Sequence, residues 1–208
     1  MSHTVGVREA QKQKTRKALM DAALVLLEDQ SLSSLGLREV TRAVGVAPTA
    51  FYRHFRDTAD LGVALVDEAL GSLHAVIRAT LAATGDSAGR IDGTVGLIAR
   101  HVHAYPAHVR FITRERHGGV QRVRTAIGRQ LSLFADEVAD WLATQPDCAA
   151  WSEDDRRMLA HVYVDHMVMT ASAFLEAEPY GAERVGAAAS LARRQLRLVS
   201  LGRRHWLD

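Results

Sequence analysis

Residues 37–55, LREVTRAVGVAPTAFYRHF, hold two short helical patterns only three residues apart, and the second opens on a proline. Leu37, Val40 and Val44 fall on one face, Glu39 stands in the first turn where a carboxylate complements the helix dipole, and Gly45 stops the helix. Pro48 suits the first position of a new helix, because its missing N–H would find no partner there and its fixed φ favours initiation. Helices at 37–44 and 48–55 joined by Gly45, Val46 and Ala47, with a preceding helix to pack on, have the spacing of a helix-turn-helix. Phe51 and Phe55, four apart, are expected to face the first helix, leaving Thr49, Ala50, Tyr52, Arg53 and His54 pointing outward.

The rest of the chain agrees with an all-α fold of about nine helices, since no segment alternates like a strand. Leu19, Ala22, Ala23, Leu26 and Leu27 mark one face of a first helix ending near Asp29. A long helix is expected from a cap at Asp57 or Thr58 to about Ala83, followed by a loop at TGDSAG. Others are expected over about 88–105, 106–117, 121–144, 152–177 and 181–206, with breaks at Pro106, Gly118-Gly119, Pro146 and Pro179. EDDRR at 153–157 reads as a dipole-matched helix start with local ion pairs. In the last helix the small residues Ala187, Ala188, Ala189, Ser190 and Ala192 beside Leu191, Leu196, Val199 and Trp206 suit close packing of helices, within the chain or between two copies.

Net charge is only +2, so its placement matters more than its size. All three lysines, Lys12, Lys14 and Lys17, lie in one six-residue window. Residues 1–57 carry nine Lys and Arg against six Asp and Glu, and the remainder is close to neutral. The basic section ends near residue 58, which puts a domain boundary there: 1–58 and 59–208. The outward set on the second short helix suits a duplex groove. Arg53 can meet a phosphate or a guanine edge, Thr49 a phosphate or a thymine methyl; Ala50 permits close approach, and Tyr52 and His54 can donate to flanking phosphates. Arg38 stands where it can enter the same groove, and one bidentate arginine–guanine pair discriminates by ~1–3 kcal/mol. Arg8, Lys12, Lys14, Arg16 and Lys17 can add salt-sensitive phosphate contacts. The plainer reading makes Tyr52, Arg53 and His54 a solvated face.

Several classes are disfavoured. The opening MSHTVGVREAQKQKTRK lacks the apolar run of a secretory signal, and LMDAALVLL is too short to span a bilayer, so no membrane association and a reducing cytoplasm are expected. A single cysteine, Cys148, leaves no intramolecular disulfide and no cysteine-cluster metal site. His101 and His103 point about 200° apart on a helix, and His161 and His166 are also poorly spaced, so no metal is expected. No motif places a nucleophile beside a base, so no catalytic residue or cofactor is assigned, and the chain is not expected to be an enzyme.

LGLREVTRAVGVAPTAFYRHFRDTADL resembles the DNA-binding signature of TetR-family transcriptional regulators. The resemblance implies a homodimer whose first three helices bind one half of a double-stranded operator. Residues 59–208 would then hold an effector pocket and, through the last two helices, the dimer interface. Pro48, Thr49, Ala50, Tyr52, Arg53, His54, Arg38, Lys14 and Lys17 take the DNA-binding roles. Two positions depart from the pattern: Gly36 replaces the usual Ser or Thr cap, and Thr58-Ala59 stand where a lysine is common. A narrower likeness covers GVREAQKQKTRKAL, FRDTADLGVALVDE and FITRERHGGVQRVRTAIGRQLSLFADEVADWL, which look like the FabR/DesT-type repressors of fatty-acid desaturation. That likeness implies a long-chain acyl-CoA effector; a different apolar effector, such as an inducer of an efflux gene, is the alternative. Phe111 and Arg114, in the shared stretch, with Ile127, Leu131 and Phe134 on one helix face and Val162, His166 and Met169 on another, are the pocket candidates. Arg114, Glu115 and Arg116 equally suit an internal ion-pair cluster, and the apolar members equally suit a core.

Overall fold

The computed structural model describes residues 2–71, 73–82 and 87–207. Among them there is no strand. The helices are α1 (Ser2–Leu26), α2 (Leu37–Val44), α3 (Pro48–Phe51), α4 (Thr58–Gly71), α5 (Leu73–Ala82), α6 (Ser87–Ala104), α7 (Pro106–Glu115), α8 (Gln121–Ala143), α9 (Glu153–Ala177) and α10 (Ala182–Arg204). The helix expected from residue 58 to 83 is the pair α4 and α5 on either side of residue 72, so the nine expected helices are present. Residues 83–86, which include the end of that helix and half of the TGDSAG loop, lie outside the described residues, and Ser87 already belongs to α6.

The chain forms two compact units, one from residues 1–69 with 110–127 and the other from 70–109 with 128–208. In the first, α1 buries Leu19, Met20, Ala23 and Leu24, and Leu27 just beyond it, a stripe turned by one residue from the expected one, with Ala22 and Leu26 only half-buried. The helix ends at Leu26 rather than near Asp29. The carbonyls of the turn that follows are taken by Arg114, whose Nη1 donates to Leu27 O and Gln30 O, both at 2.8 Å, and whose Nη2 donates to Glu28 O at 3.1 Å. A guanidinium thus holds the turn in which the helix ends, satisfying carbonyls that no longer have a helical partner. Glu115 is buried beside it and accepts the Leu32 N–H at 2.9 Å. The RERHGG arginine and glutamate therefore brace the turn after α1 rather than pairing with each other. Leu32 and Leu35 from that turn enter the same core as Val40, Phe51, Phe55, Leu61, Phe111, Val123 and Ile127. Packing is close enough that a Cβ at Gly62 would collide with Leu32 and lie 2.7 Å from the Val123 side chain.

The second unit is built on α6, α9 and α10, which pack pairwise. Val95, Ile98 and Val102 of α6 meet Phe174 of α9 and Ala192 and Leu196 of α10, with Ala188 and Ala189 packed against them. The small residues of α10 therefore serve partly within the chain. Ser152 caps α9, its Oγ accepting the Asp155 N–H at 3.0 Å, and Arg157 pairs with Glu153 at 2.9 Å, as EDDRR implies. Among the described residues, no helix is long and apolar enough to cross a membrane.

Candidate nucleic-acid interface and an apolar cavity

The two short helices meet through a glycine turn. Gly45 sits at φ 74°, in the left-handed region open to glycine, which lets its N–H reach Arg42 O at 3.1 Å and the Val46 N–H reach Thr41 O at 3.0 Å. At the other end of α2, Gly36 supplies no side-chain cap, but Glu39 Oε2 accepts the Gly36 N–H at 3.0 Å. One half of a capping box thus offsets the missing Ser or Thr. Pro48 starts α3 as expected, but the α-helix ends at Phe51 instead of continuing to Phe55. Bonding beyond it is mixed, i→i+3 from Arg53 N–H to Ala50 O at 3.3 Å and His54 N–H to Phe51 O at 2.8 Å, and i→i+4 from Phe55 N–H to Phe51 O at 3.0 Å. Asp57 caps α4, its Oδ1 accepting the Asp60 N–H at 2.6 Å, and Arg122 clamps Asp57 at 2.9 Å.

Phe51 and Phe55 are buried, their rings 5.4 Å apart, and they leave one face outward. Arg38, Pro48, Thr49, Tyr52 and Arg53 are exposed, and Ala50 and His54 are half-exposed. Arg42, one turn beyond Arg38 on α2, is exposed as well and escaped the sequence reading although it lies at i+4. Of the basic residues on α1, Arg8, Lys12, Lys14 and Lys17 are exposed. Arg16 has a structural role: its guanidinium lies 4.4 Å over the Phe55 ring and its Nη1 donates to His54 O at 3.0 Å. Lys17 pairs with Asp21 at 2.6 Å and Glu68 at 3.2 Å, and these carboxylates raise its pKa. Burial and the positive charges of Arg16, Lys12 and Arg53 push the His54 imidazole below its ordinary value, so it is neutral at pH 7.

The second unit contains an apolar cavity partly open to solvent. Ile77, Leu81, Leu97, Val138, Trp141 and Leu196 supply apolar wall, and α9 contributes Tyr163 and Met167. The eight pocket candidates do not line it. Phe111 and Ile127 are buried in the first unit's core, where Arg114 also braces α1. In the second unit Phe134 stacks on His74 at 4.3 Å and Leu131 is half-buried. His166 is buried and bonded to Gln195 at 3.1 Å, while Val162 and Met169 face outward. On α9 the cavity face is thus Tyr163 and Met167, one position along from Val162 and His166. The other histidines stand apart: His101 stacks on Tyr105 at 5.2 Å and His103 pairs with Glu178 at 3.1 Å.

A second feature of this unit is the outward side of its last two long helices. Met158, Val162 and Met169 on α9, and Leu191, Leu198 and Leu201 on α10, are all exposed. Ala173 and Ala187 continue the two stripes without bulk.

Residues 19–65 match the family model of bacterial regulatory proteins, tetR family. Among solved structures, the chain is similar to the fatty acid degradation regulator FadR from Bacillus halodurans, with TM-score 0.69, 15% identity, and 87% of this chain and 93% of that chain covered. It is also similar to FadR from Bacillus subtilis in complex with stearoyl-CoA, with TM-score 0.68, 13% identity, and 86% and 96% covered. NalD, the secondary repressor of the MexAB-OprM multidrug efflux pump in Pseudomonas aeruginosa, matches with TM-score 0.66, 18% identity, and 90% and 96% covered.

Proposed function

We propose that the chain, whose residues 19–65 match the model of bacterial regulatory proteins, tetR family, is a cytoplasmic homodimeric repressor of that family, acting on fatty-acid or desaturation genes with an operator affinity modulated by a long-chain acyl ligand such as an acyl-CoA. The observation that carries the DNA half is the basic face of α2 and α3, with Arg38, Thr49, Tyr52 and Arg53 exposed beside two buried phenylalanines. For the lipid half, the support is a largely apolar cavity walled by Ile77, Leu81, Leu97, Trp141 and Leu196 with few polar groups. Likeness to two regulators titled for fatty acid degradation or bound to stearoyl-CoA agrees with it. The NalD likeness favours the second reading, an apolar effector controlling efflux. Residues 1–58 act as the reader and 59–208 hold effector pocket and dimer contacts, with α9 and α10 as the interface. Ligand contacts would alter the spacing of two recognition helices, which must stay near ~34–36 Å to fit both half-sites.

Arg53→Ala is expected to reduce discrimination between operator and random DNA by about tenfold or more, the worth of a bidentate base contact at ~1–3 kcal/mol. Lys14→Ala should weaken both DNAs alike and lower the salt slope by about one. Fluorescence anisotropy of an upstream DNA fragment, repeated with saturated and unsaturated acyl-CoA, measures all of this. Unchanged binding in both variants overturns the DNA surface, and indifference to every acyl-CoA removes the thioester as effector and leaves the DNA surface standing.

His54 adds a pH dependence. Its imidazole is held below the ordinary value in the free protein by burial and by Arg16, Lys12 and Arg53. A phosphate placed beside it would raise that pKa, so DNA binding takes up a proton. Operator affinity should therefore rise as pH falls from 8 towards 6, and His54→Gln should flatten the profile. Equal slopes for the two proteins would take His54 out of the interface.

A further inference from the structure

We propose that the cavity in the second unit takes an apolar chain ending in one compact anion, a carboxylate, whose head is held by Arg203 together with Arg90, Ser87 and Ser200. The inference rests on the reading of this cavity as the effector site of a lipid-responsive regulator, and it narrows the effector to the free acid rather than its thioester.

The polar groups on the wall are not scattered. Ser87 and Arg90 come from the first turn of α6, and Ser200 and Arg203 from the last two turns of α10. The two hydroxyls hold these helix ends together at 3.0 Å. Such a pair uses one of its two protons, which leaves the other to donate to a ligand oxygen. Among the described lining residues two are arginines and none is acidic. Arg90 stands over the Trp141 ring at 5.9 Å, a cation set against the apolar wall.

Arg203 is the unusual member. Its side chain is only 6% exposed, deep burial for a guanidinium. Nη2 donates to Asp147 at 3.0 Å, yet Nε is buried with no hydrogen-bond partner. Asp147, which also lies 3.9 Å from Arg204, is not part of the cavity wall. A buried cationic donor left unmatched is the group for which an incoming anion does most, because the anion restores what desolvation removed. Tyr163 stands on the same wall from the α9 side, and burial raises its hydroxyl pKa, so it stays a neutral donor and acceptor. A thioester presents an uncharged carbonyl to these groups and carries its phosphates on a long arm. A free carboxylate brings its charge directly onto them.

The test is tryptophan fluorescence and thermal melting of the full chain with palmitate, methyl palmitate and submicellar palmitoyl-CoA. Palmitate is expected to bind at least ~10-fold tighter than either of the others, the worth of one charge-assisted hydrogen bond. Arg203→Gln should bring palmitate down to the level of the ester and leave the ester unchanged. Should that variant melt before ligand is added, Arg90→Gln carries the same comparison. Equal affinity for acid and ester, or an acid preference that survives both substitutions, overturns the proposal. Palmitoyl-CoA binding tightest without dependence on Arg203 also overturns it, yet leaves a lipid-responsive regulator. Binding of none of the three ligands overturns the lipid reading itself.

Discussion

Leu198→Glu on α10 is expected to abolish stable operator binding while leaving each protomer folded. Leu198 is 71% exposed, so its replacement removes almost no packing within the chain, and the protomer's stability should move by no more than about 0.5 kcal/mol. The consequence arises between copies. In a twofold dimer each residue of the interface faces the same patch on its partner, so one substitution introduces two carboxylates into a surface that otherwise presents Met158, Val162, Met169, Leu191 and Leu201. Stripping a carboxylate of water without a partner costs several kcal/mol. Loss of the dimer then removes the gain from two linked reading heads, about 10²–10⁴ in avidity. Analytical ultracentrifugation and a gel shift read both effects. A dimer that survives Leu198→Glu would show that the copies meet through another face.

Where the sequence carried a chemically specific signal, the structure agrees to the residue. The helix at 37–44 was legible because Glu39 and Gly45 mark its two ends by unrelated physics, a carboxylate for the free N–H groups and a glycine for the left-handed turn. Pro48 marked the start of α3 in the same way, but nothing local marked its end, where the Phe51 carbonyl accepts both an i→i+3 and an i→i+4 bond. The end of α1 was out of reach for another reason. Arg114, which holds the turn there, stands more than eighty positions away in the chain, and RERHGG could be recognised as unusual without revealing that its arginine holds that turn.

The cavity was the least legible feature. Periodicity identifies faces that leave water, and it selected Val162, His166 and Met169 on α9, although only His166 is buried. A cavity exists where buried faces fail to meet, and that depends on helix positions in three dimensions. Ser87 and Ser200 bond across 113 positions, and no one-dimensional pattern connects them. The outward apolar stripes had a partial signal in the small residues of α10, but Ala188 and Ala189 pack inward, so the signal spoke for two surfaces at once.

Phe55→Ala should produce the largest loss of stability of any change near the reading face, about 3–5 kcal/mol for an emptied aromatic site. Phe55 is 2% exposed, its ring is 5.4 Å from that of Phe51, and Arg16 lies over it at 4.4 Å. The arginine contact adds ~0.5–1 kcal/mol. It also carries a geometric consequence, because Arg16 Nη1 holds His54 O at 3.0 Å, immediately after Tyr52 and Arg53. With the ring gone, the guanidinium loses its platform and the segment that follows α3 loses its tie to α1. Against a total stability of ~5–15 kcal/mol, such a loss lowers the melting temperature by about 10 °C or more. Operator binding falls with it, even though no DNA-facing group has been altered. Arg53→Ala supplies the contrast, since an exposed side chain can be removed with the melt unchanged and discrimination reduced. Circular dichroism melts of Phe55→Ala, Phe55→Leu and Arg53→Ala distinguish the two roles, with Phe55→Leu expected between wild type and alanine. A Phe55→Ala melt within 2 °C of wild type would deny the ring its place as the support of the reading face.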